Sequence, residues 1–210
     1  MALELFLKGL LLGFSIAAPV GPIGILCIRR TLQYGRLSGF FSGLGAAVAD
    51  AIYAVMAAFG LSYITHLLIE EQFWLRLIGG AFLIYLGWKT FRAEPHVEAK
   101  NVTHTTLFND FVSTFFLTIT NPLTILSFLA VFAGLGLSST SGSYLDSLTL
   151  VLGVFLGSAF WWLLLSEGVT FFRAKVSQQM MLWINRTAGV IILGFGIGAL
   201  LSIFAMKEFS

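Results

Sequence analysis

Charge is scarce in this chain. Only 10% of its 210 residues are Asp, Glu, Lys or Arg, against about 25% in a typical soluble domain. That excludes a water-soluble globular fold. The single cysteine, Cys27, excludes an intramolecular disulfide and a thiol–disulfide relay, which needs two thiols to carry an electron pair. The three histidines, His66, His96 and His104, lie in or near loops and show no metal-ligand spacing. No Walker motif, dinucleotide fingerprint, HExxH or nucleophile elbow is present. No cofactor, metal or enzymatic chemistry is therefore expected, and nothing points to nucleic acid as a partner. The longest hydrophilic stretch runs only from about 89 to 109, too short for a soluble domain.

What is abundant is apolar sequence. Hydrophobic residues make up 58% of the chain and mean hydropathy is +0.92, which marks an integral membrane protein. About 20 apolar residues span a bilayer as a helix. Six such segments are read at about 5–28, 38–67, 73–91, 108–137, 144–172 and 183–204. The first segment has one feature of a secretory leader, small residues at Ile16-Ala17-Ala18. Glu4 beside Lys8, and apolar character resuming after Pro22, argue for a retained span instead.

Basic residues collect in alternate linkers. Arg29, Arg30 and Arg36 follow the first segment. Lys89, Arg92 and Lys100 follow the third, and Arg173, Lys175 and Arg186 flank the link after the fifth. The remaining links carry Glu70, Glu71, Asp146 and Arg76. The positive-inside rule puts the basic links in the cytoplasm and, with six crossings, both termini outside.

The chain also reads as a repeat. The segment pattern is broken, long, shorter, then the same again. Arg76-Leu77-Ile78-Gly79 with Leu83 and Tyr85 matches Arg186-Thr187-Ala188-Gly189 with Leu193 and Phe195 at one offset, which also relates Gly43 to Gly153. Three crossings is an odd number, so the second unit must run in the opposite sense to the first. The expected fold is an all-α polytopic membrane protein, a single domain over 1–210. It has about six transmembrane helices in two inverted three-helix repeats, about 1–92 and 107–206. Small-xxx-small pairs at Gly9/Gly13, Gly39/Gly43, Gly153/Gly157 and Gly194/Gly198 suit close helix approach in lipid, and such faces are compatible with a homodimer.

Each half contains a break. Ala18-Pro19-Val20-Gly21-Pro22 interrupts the first segment and Thr120-Asn121-Pro122-Leu123-Thr124 the fourth. Lipid offers no hydrogen-bond partners, so a broken helix is tolerated only where it is buried in protein or lines a cavity. Matched breaks in two halves point to a transporter's binding site. Gly21 between two prolines offers bare backbone. A helix restarting after Pro22 presents a partially positive N-terminus suited to a carboxylate. The alternative is a hinge or packing kink. At the second break, proline frees carbonyls that Thr118, Thr120, Thr124 and Asn121 can satisfy. A plain kink would not need the asparagine.

Asp50 is the most informative charge. It lies fourteen residues past Arg36, roughly 21 Å along a helix, near mid-membrane. An acid there costs roughly 2.5–3.5 kcal/mol on insertion scales and usually marks a pathway or proton relay. Gly39, Gly43, Ala46, Asp50, Ala54 and Ala57 share one helical stripe, so Asp50 points inward. The alternative is a protonated structural acid. Glu167 reads as an interfacial acid paired with Arg173 or Lys175, Arg29-Arg30 as a topology anchor, and Trp161-Trp162 as lipid-facing or packing bulk.

These residues together resemble the LysE/RhtB-type exporters, the lysine and homoserine/threonine exporters of bacteria, over essentially the whole chain. Pro19-Val20-Gly21-Pro22 stands at the family's Pro-Gly-Pro, followed by Arg29-Arg30-Thr31-Leu32 and Gly35. Gly43 to Asp50 is similar to its glycine-rich run ending in an acid. Asn121 to Phe128 is similar to its Asn-Pro-x-x-x-x-x-Phe signature, and Leu83 to Lys89 to its third-segment ending. Val20 is inserted in the Pro-Gly-Pro, Ile23 replaces a polar residue, and Thr124 stands where a basic residue is common. The resemblance implies efflux of amino acids or similar small molecules across the bacterial inner membrane, driven by the proton gradient or by exchange. The expected pathway residues are Pro19, Gly21, Pro22, Asp50, Thr120, Asn121, Pro122 and Thr124. Two other classes compete. A divalent-metal or ion exporter would need more intramembrane oxygen ligands than Asp50 and Glu167 supply. A non-transporting membrane subunit would leave the matched breaks without a purpose.

Overall fold

The computed structural model describes residues 2–19, 21–58, 72–94, 103–121, 124–125, 127–128 and 144–207. Val20, His66, Glu70, Glu71, His96, Lys100 and Pro122 lie outside the described residues, as does the Ser/Gly-rich link 138–143.

Seven helices are described: α1 Ala2–Ala17, α2 Pro22–Tyr34, α3 Arg36–Ala58, α4 Gln72–Phe91, α5 His104–Ile119, α6 Tyr144–Arg173 and α7 Gln178–Lys207. Among the described residues there is no strand. The chain is thus an all-helical membrane protein. By length and apolar character α3, α6 and α7 suffice to cross a bilayer, and the bent pair α1/α2 passes the same test only when taken together, as a broken span or a re-entrant loop. The flanks of α6 and α7 leave Leu152, Phe160, Phe171, Val190 and Leu201 exposed, as a lipid-facing surface requires.

The first break follows from its prolines. Ala18 N–H still bonds to Phe14 O at 3.0 Å, but the residue before a proline is pushed out of helical geometry and Pro19 has no N–H to give. The helix resumes at Pro22, whose fixed φ suits a first helical position, and the two axes differ by 80°. Gly24 lies within this second helix. One residue separates α2 from α3: Gly35, at φ +99°, a conformation that favours glycine.

Packing pairs α1 with α6, α4 with α7, and α3 with both α5 and α6, while α2 touches α3, α6 and α7. The α1–α6 contact joins two of the expected small-residue pairs. A Cβ on Gly13 would lie 2.0 Å from Val154 O, and one on Gly157 would lie 2.0 Å from Leu10 O. Gly43 receives the Trp162 side chain. Gly194 and Gly198 differ from expectation, with no described residue within 4 Å of a Cβ placed there. The α4–α7 contact uses Gly189 and Gly196 instead, against Phe91 and Gly80.

Glu167 pairs not with Arg173 or Lys175 but with Arg36, at 3.1 Å. Arg173 turns to the end of α2, donating from Nε to Leu32 O at 3.0 Å and from a terminal nitrogen to Gln33 O. Helix ends leave carbonyls that cations satisfy.

Candidate functional site

The two breaks meet. A cavity of about 90 Å³ is lined by Pro19, Gly21 and Pro22 of the first break, by Asn121, Thr124 and Ser127 at the second, and by Asp50 of α3. Thr118, Ala46, Trp162 and the apolar side chains Ile16 and Ile23 complete most of the wall. Six of the eight residues singled out in the sequence thus border one space. Thr120 does not. Its hydroxyl donates back to Phe116 O at 2.7 Å, and it lines a separate lateral groove with Ile78, Phe82 and Ser113. Pro122 is outside the described residues.

Each wall has a local cause. Asp50 lies on the glycine/alanine stripe of α3 that packs on α5 and α6, which leaves it only 3% exposed. Its Oδ2 accepts from Ser158 Oγ at 2.7 Å, and Trp162 Nε1 donates to the same Ser158 oxygen at 3.2 Å. Ser158 and Trp162 are four apart, one turn on one face of α6. Trp162 is therefore not lipid-facing bulk; it is 3% exposed and holds the serine that holds the acid. The sequence signal was a lone serine one turn before a tryptophan in an apolar segment, too common to stand out.

At the first break, α2 begins with no side-chain cap on Gly21. The first intrahelical bond of α2 is Ile25 N–H to Gly21 O, 3.0 Å, so the N–H groups of Ile23 and Gly24 precede it. Both residues border the cavity. The cavity therefore faces a carboxylate on one side and a helix N-terminus, partially positive, on another. At the second break, Thr118 Oγ1 donates to Thr114 O at 2.9 Å and Asn121 N–H donates to Thr118 O at 3.1 Å. The carbonyl four residues before the proline, Thr118 O, is thus met by a backbone amide, while the Thr118 and Thr120 hydroxyls turn back to carbonyls one turn earlier in α5.

A second polar layer was not legible. Arg30 is 7% exposed. Its Nε lies 3.1 Å from Asp110 Oδ1. Its terminal nitrogens donate to Ser42 Oγ (2.9 Å), Thr114 Oγ1 (2.8 Å), Asp110 O (3.0 Å) and Ser113 Oγ (2.7 Å). Ser38 Oγ donates to the other Asp110 carboxylate oxygen. Arg29, 8% exposed, donates to Asn185 Oδ1 at 3.0 Å, Gln33 Oε1 at 2.9 Å and Thr90 Oγ1 at 3.4 Å. Two consecutive arginines, expected as a topology anchor, instead fasten α2 to α3 and α5 on one side and to α4 and α7 on the other. Ser42 to Asp50 on α3 and Pro22 to Arg30 on α2 are each eight residues apart. The layer therefore lies about 12 Å from the cavity, toward the end of the bundle that carries the basic linkers. Among the described residues no group of three His, Cys, Asp or Glu is close enough to hold a metal ion.

Residues 14–202 match the family model described as LysE type translocator. The chain belongs to the LysE family of translocators. Membership makes it a membrane transporter rather than an enzyme. YcgF of Bacillus subtilis (strain 168), provisionally named an amino acid efflux protein, is 29% identical over 92% of this chain and 94% of its own length. The uncharacterized membrane protein YahN of Escherichia coli (strain K12) is 26% identical over 86% of this chain and 78% of its own. The threonine efflux protein of Salmonella typhimurium (strain LT2) is 24% identical over 87% of this chain and 90% of its own. No solved structure matches the chain.

Proposed function

We propose that this LysE-family protein is a secondary exporter of amino acids or closely related metabolites, acting across the bacterial inner membrane and driven by the proton gradient or by exchange. The observation that carries the reading is the convergence of both helix breaks and Asp50 on one cavity. In this reading the N–H groups at the start of α2 hold the substrate carboxylate. Asp50 holds the ammonium group or carries the coupling proton. Asn121 and Thr124 orient the backbone of the substrate. Ser158 and Trp162 fix the Asp50 carboxylate from behind. The relatives named for amino acid efflux and threonine efflux support the substrate class.

The inverted-repeat plan has support in the pairing of helices. Exchanging α1 with α5, α3 with α6 and α4 with α7 turns the α1–α6 contact into the α5–α3 contact. It leaves α3–α6 and α4–α7 as themselves, as a two-fold relation between the halves demands. With the basic linkers cytoplasmic, the Arg29/Arg30 layer lies on the cytoplasmic side of the cavity. It ties the first half to the second through Asp110 and Asn185 and must loosen for substrate to enter from that side.

The test is retention of amino acids in cells fed dipeptides, with wild-type protein, with Asp50→Asn and with neither. Wild-type cells alone are expected to lose an amino acid to the medium. Equal retention in all three strains, with the protein shown in the membrane, would remove the exporter reading. Full export by Asp50→Asn would remove Asp50 from the mechanism.

A further inference from the structure

The cavity wall holds more than a place for an amino acid, because its charges can be counted. Among the described lining residues Asp50 is the only formally charged side chain. The other polar groups, Thr118, Asn121, Thr124 and Ser127, are neutral. Among the described lining residues, positive charge comes only from the start of α2, as the partial charge of a helix N-terminus, about half an elementary charge. The nearest full charges on the elements around the cavity are all engaged elsewhere. Arg30 is bound to Asp110, Arg29 to Asn185 and Gln33, Glu167 to Arg36, and Lys8 to Glu4 at 2.7 Å.

We infer that the cavity selects amino acids with uncharged side chains and rejects those bearing a side-chain ammonium, guanidinium or carboxylate. This rests on the exporter reading and names the substrate class within it. A zwitterion fits one carboxylate and one helix N-terminus with nothing left over. Lysine or arginine brings a second cation, and Asp50 cannot pair with both. Glutamate or aspartate brings a second anion to a wall with no cationic side chain among its described residues. An unpaired charge in a desolvated site is strongly disfavoured. Ile16, Ile23 and Ala46 offer apolar contact to an uncharged side chain.

The experiment uses cells without exporters of their own, fed Ala-Thr, Ala-Val, Ala-Lys and Ala-Glu separately, with efflux of the second residue measured. The expected result is release of threonine or valine at a rate on the order of 100-fold above lysine or glutamate, the factor that one uncompensated charge commands. Thr124→Asp, which adds a second carboxylate to the cavity wall, is expected to raise lysine release relative to threonine. Wild-type release of lysine or glutamate at a rate comparable to threonine overturns the charge argument and leaves the exporter reading standing. Release of none of the four by a correctly inserted protein overturns the exporter reading beneath the inference.

Discussion

Removing the Asp110 carboxylate should injure this protein more than any other single change in the polar layer. Arg30 is buried, and its guanidinium is held by one carboxylate, three hydroxyls and a backbone carbonyl. In Asp110→Ala the hydroxyls and the carbonyl remain but the counter-charge is gone. Breaking one partner out of a buried ion pair costs about 3–5 kcal/mol, because the other charge stays desolvated and unpaired. At about 2–4 °C per kcal/mol for a chain of this size, that lowers the midpoint of thermal unfolding by roughly 6–20 °C. Replacing both partners with apolar groups of similar volume, Arg30→Met with Asp110→Leu, removes the desolvated charge as well and is expected to recover most of the loss. Ser38→Ala, which deletes one neutral donor to the same carboxylate, should cost about 1.5–3 kcal/mol, less than loss of the counter-charge. The assay is the monodisperse fraction of detergent-solubilised protein after heating, read across a temperature series for the wild type and these variants. If Asp110→Ala is no less stable than the double variant, the ion pair is not what holds α2 to α5, and the reasoning fails.

Other consequences are sharper in contrast than in magnitude. Gly13→Ala should destabilise the α1–α6 contact, where the new Cβ meets Val154 O, while Gly194→Ala, with no described residue within 4 Å of the new Cβ, should leave thermal stability unchanged; equal effects would contradict the packing. Gly35→Ala forces an L side chain into φ +99° and should cost about 1–2 kcal/mol, measured by the same heating series. Tyr53→Phe removes the 2.5 Å bond from the Tyr53 hydroxyl to Ile119 O beside the second break; the expected loss is about 1 kcal/mol, and no loss would mean that this carbonyl finds another donor. Ser158→Ala frees the Asp50 carboxylate and should lower export severalfold with normal membrane insertion, whereas Ser158→Thr, which keeps the hydroxyl, should retain more of it. Equal export by the two variants would argue against a positioning role.

Much of this protein could be read from residue order. Apolar length and scarce charge fixed a membrane protein, because a bilayer accepts only helices or closed barrels. Prolines marked the breaks, because a missing N–H is a local fact. The three- and four-residue spacing of small residues on α3 turned Asp50 inward, because helical periodicity is local too. Contacts between distant segments were not legible. That Asp110 neutralises Arg30, 80 residues away, or that Asn185 receives Arg29, 156 residues away, depends on which helices lie side by side. The same holds for Glu167, whose nearest basic residues in sequence are not its partner, and for Gly194/Gly198, whose spacing suits packing on a face that no described helix covers. Ser158 and Trp162 became part of the site only because α6 crosses α3 at Asp50.

The sequence by itself determined the solvent, the elements and where the chain must break, since each follows from hydration, periodicity or backbone chemistry within a few residues. Only the tertiary structure decided that the two breaks face one cavity, that a serine and a tryptophan stand behind its carboxylate, and that two arginines are buried where the linkers begin. Those are matters of side-chain pairing across the bundle, where a buried charge or hydroxyl takes whichever partner the packing of distant helices brings within reach.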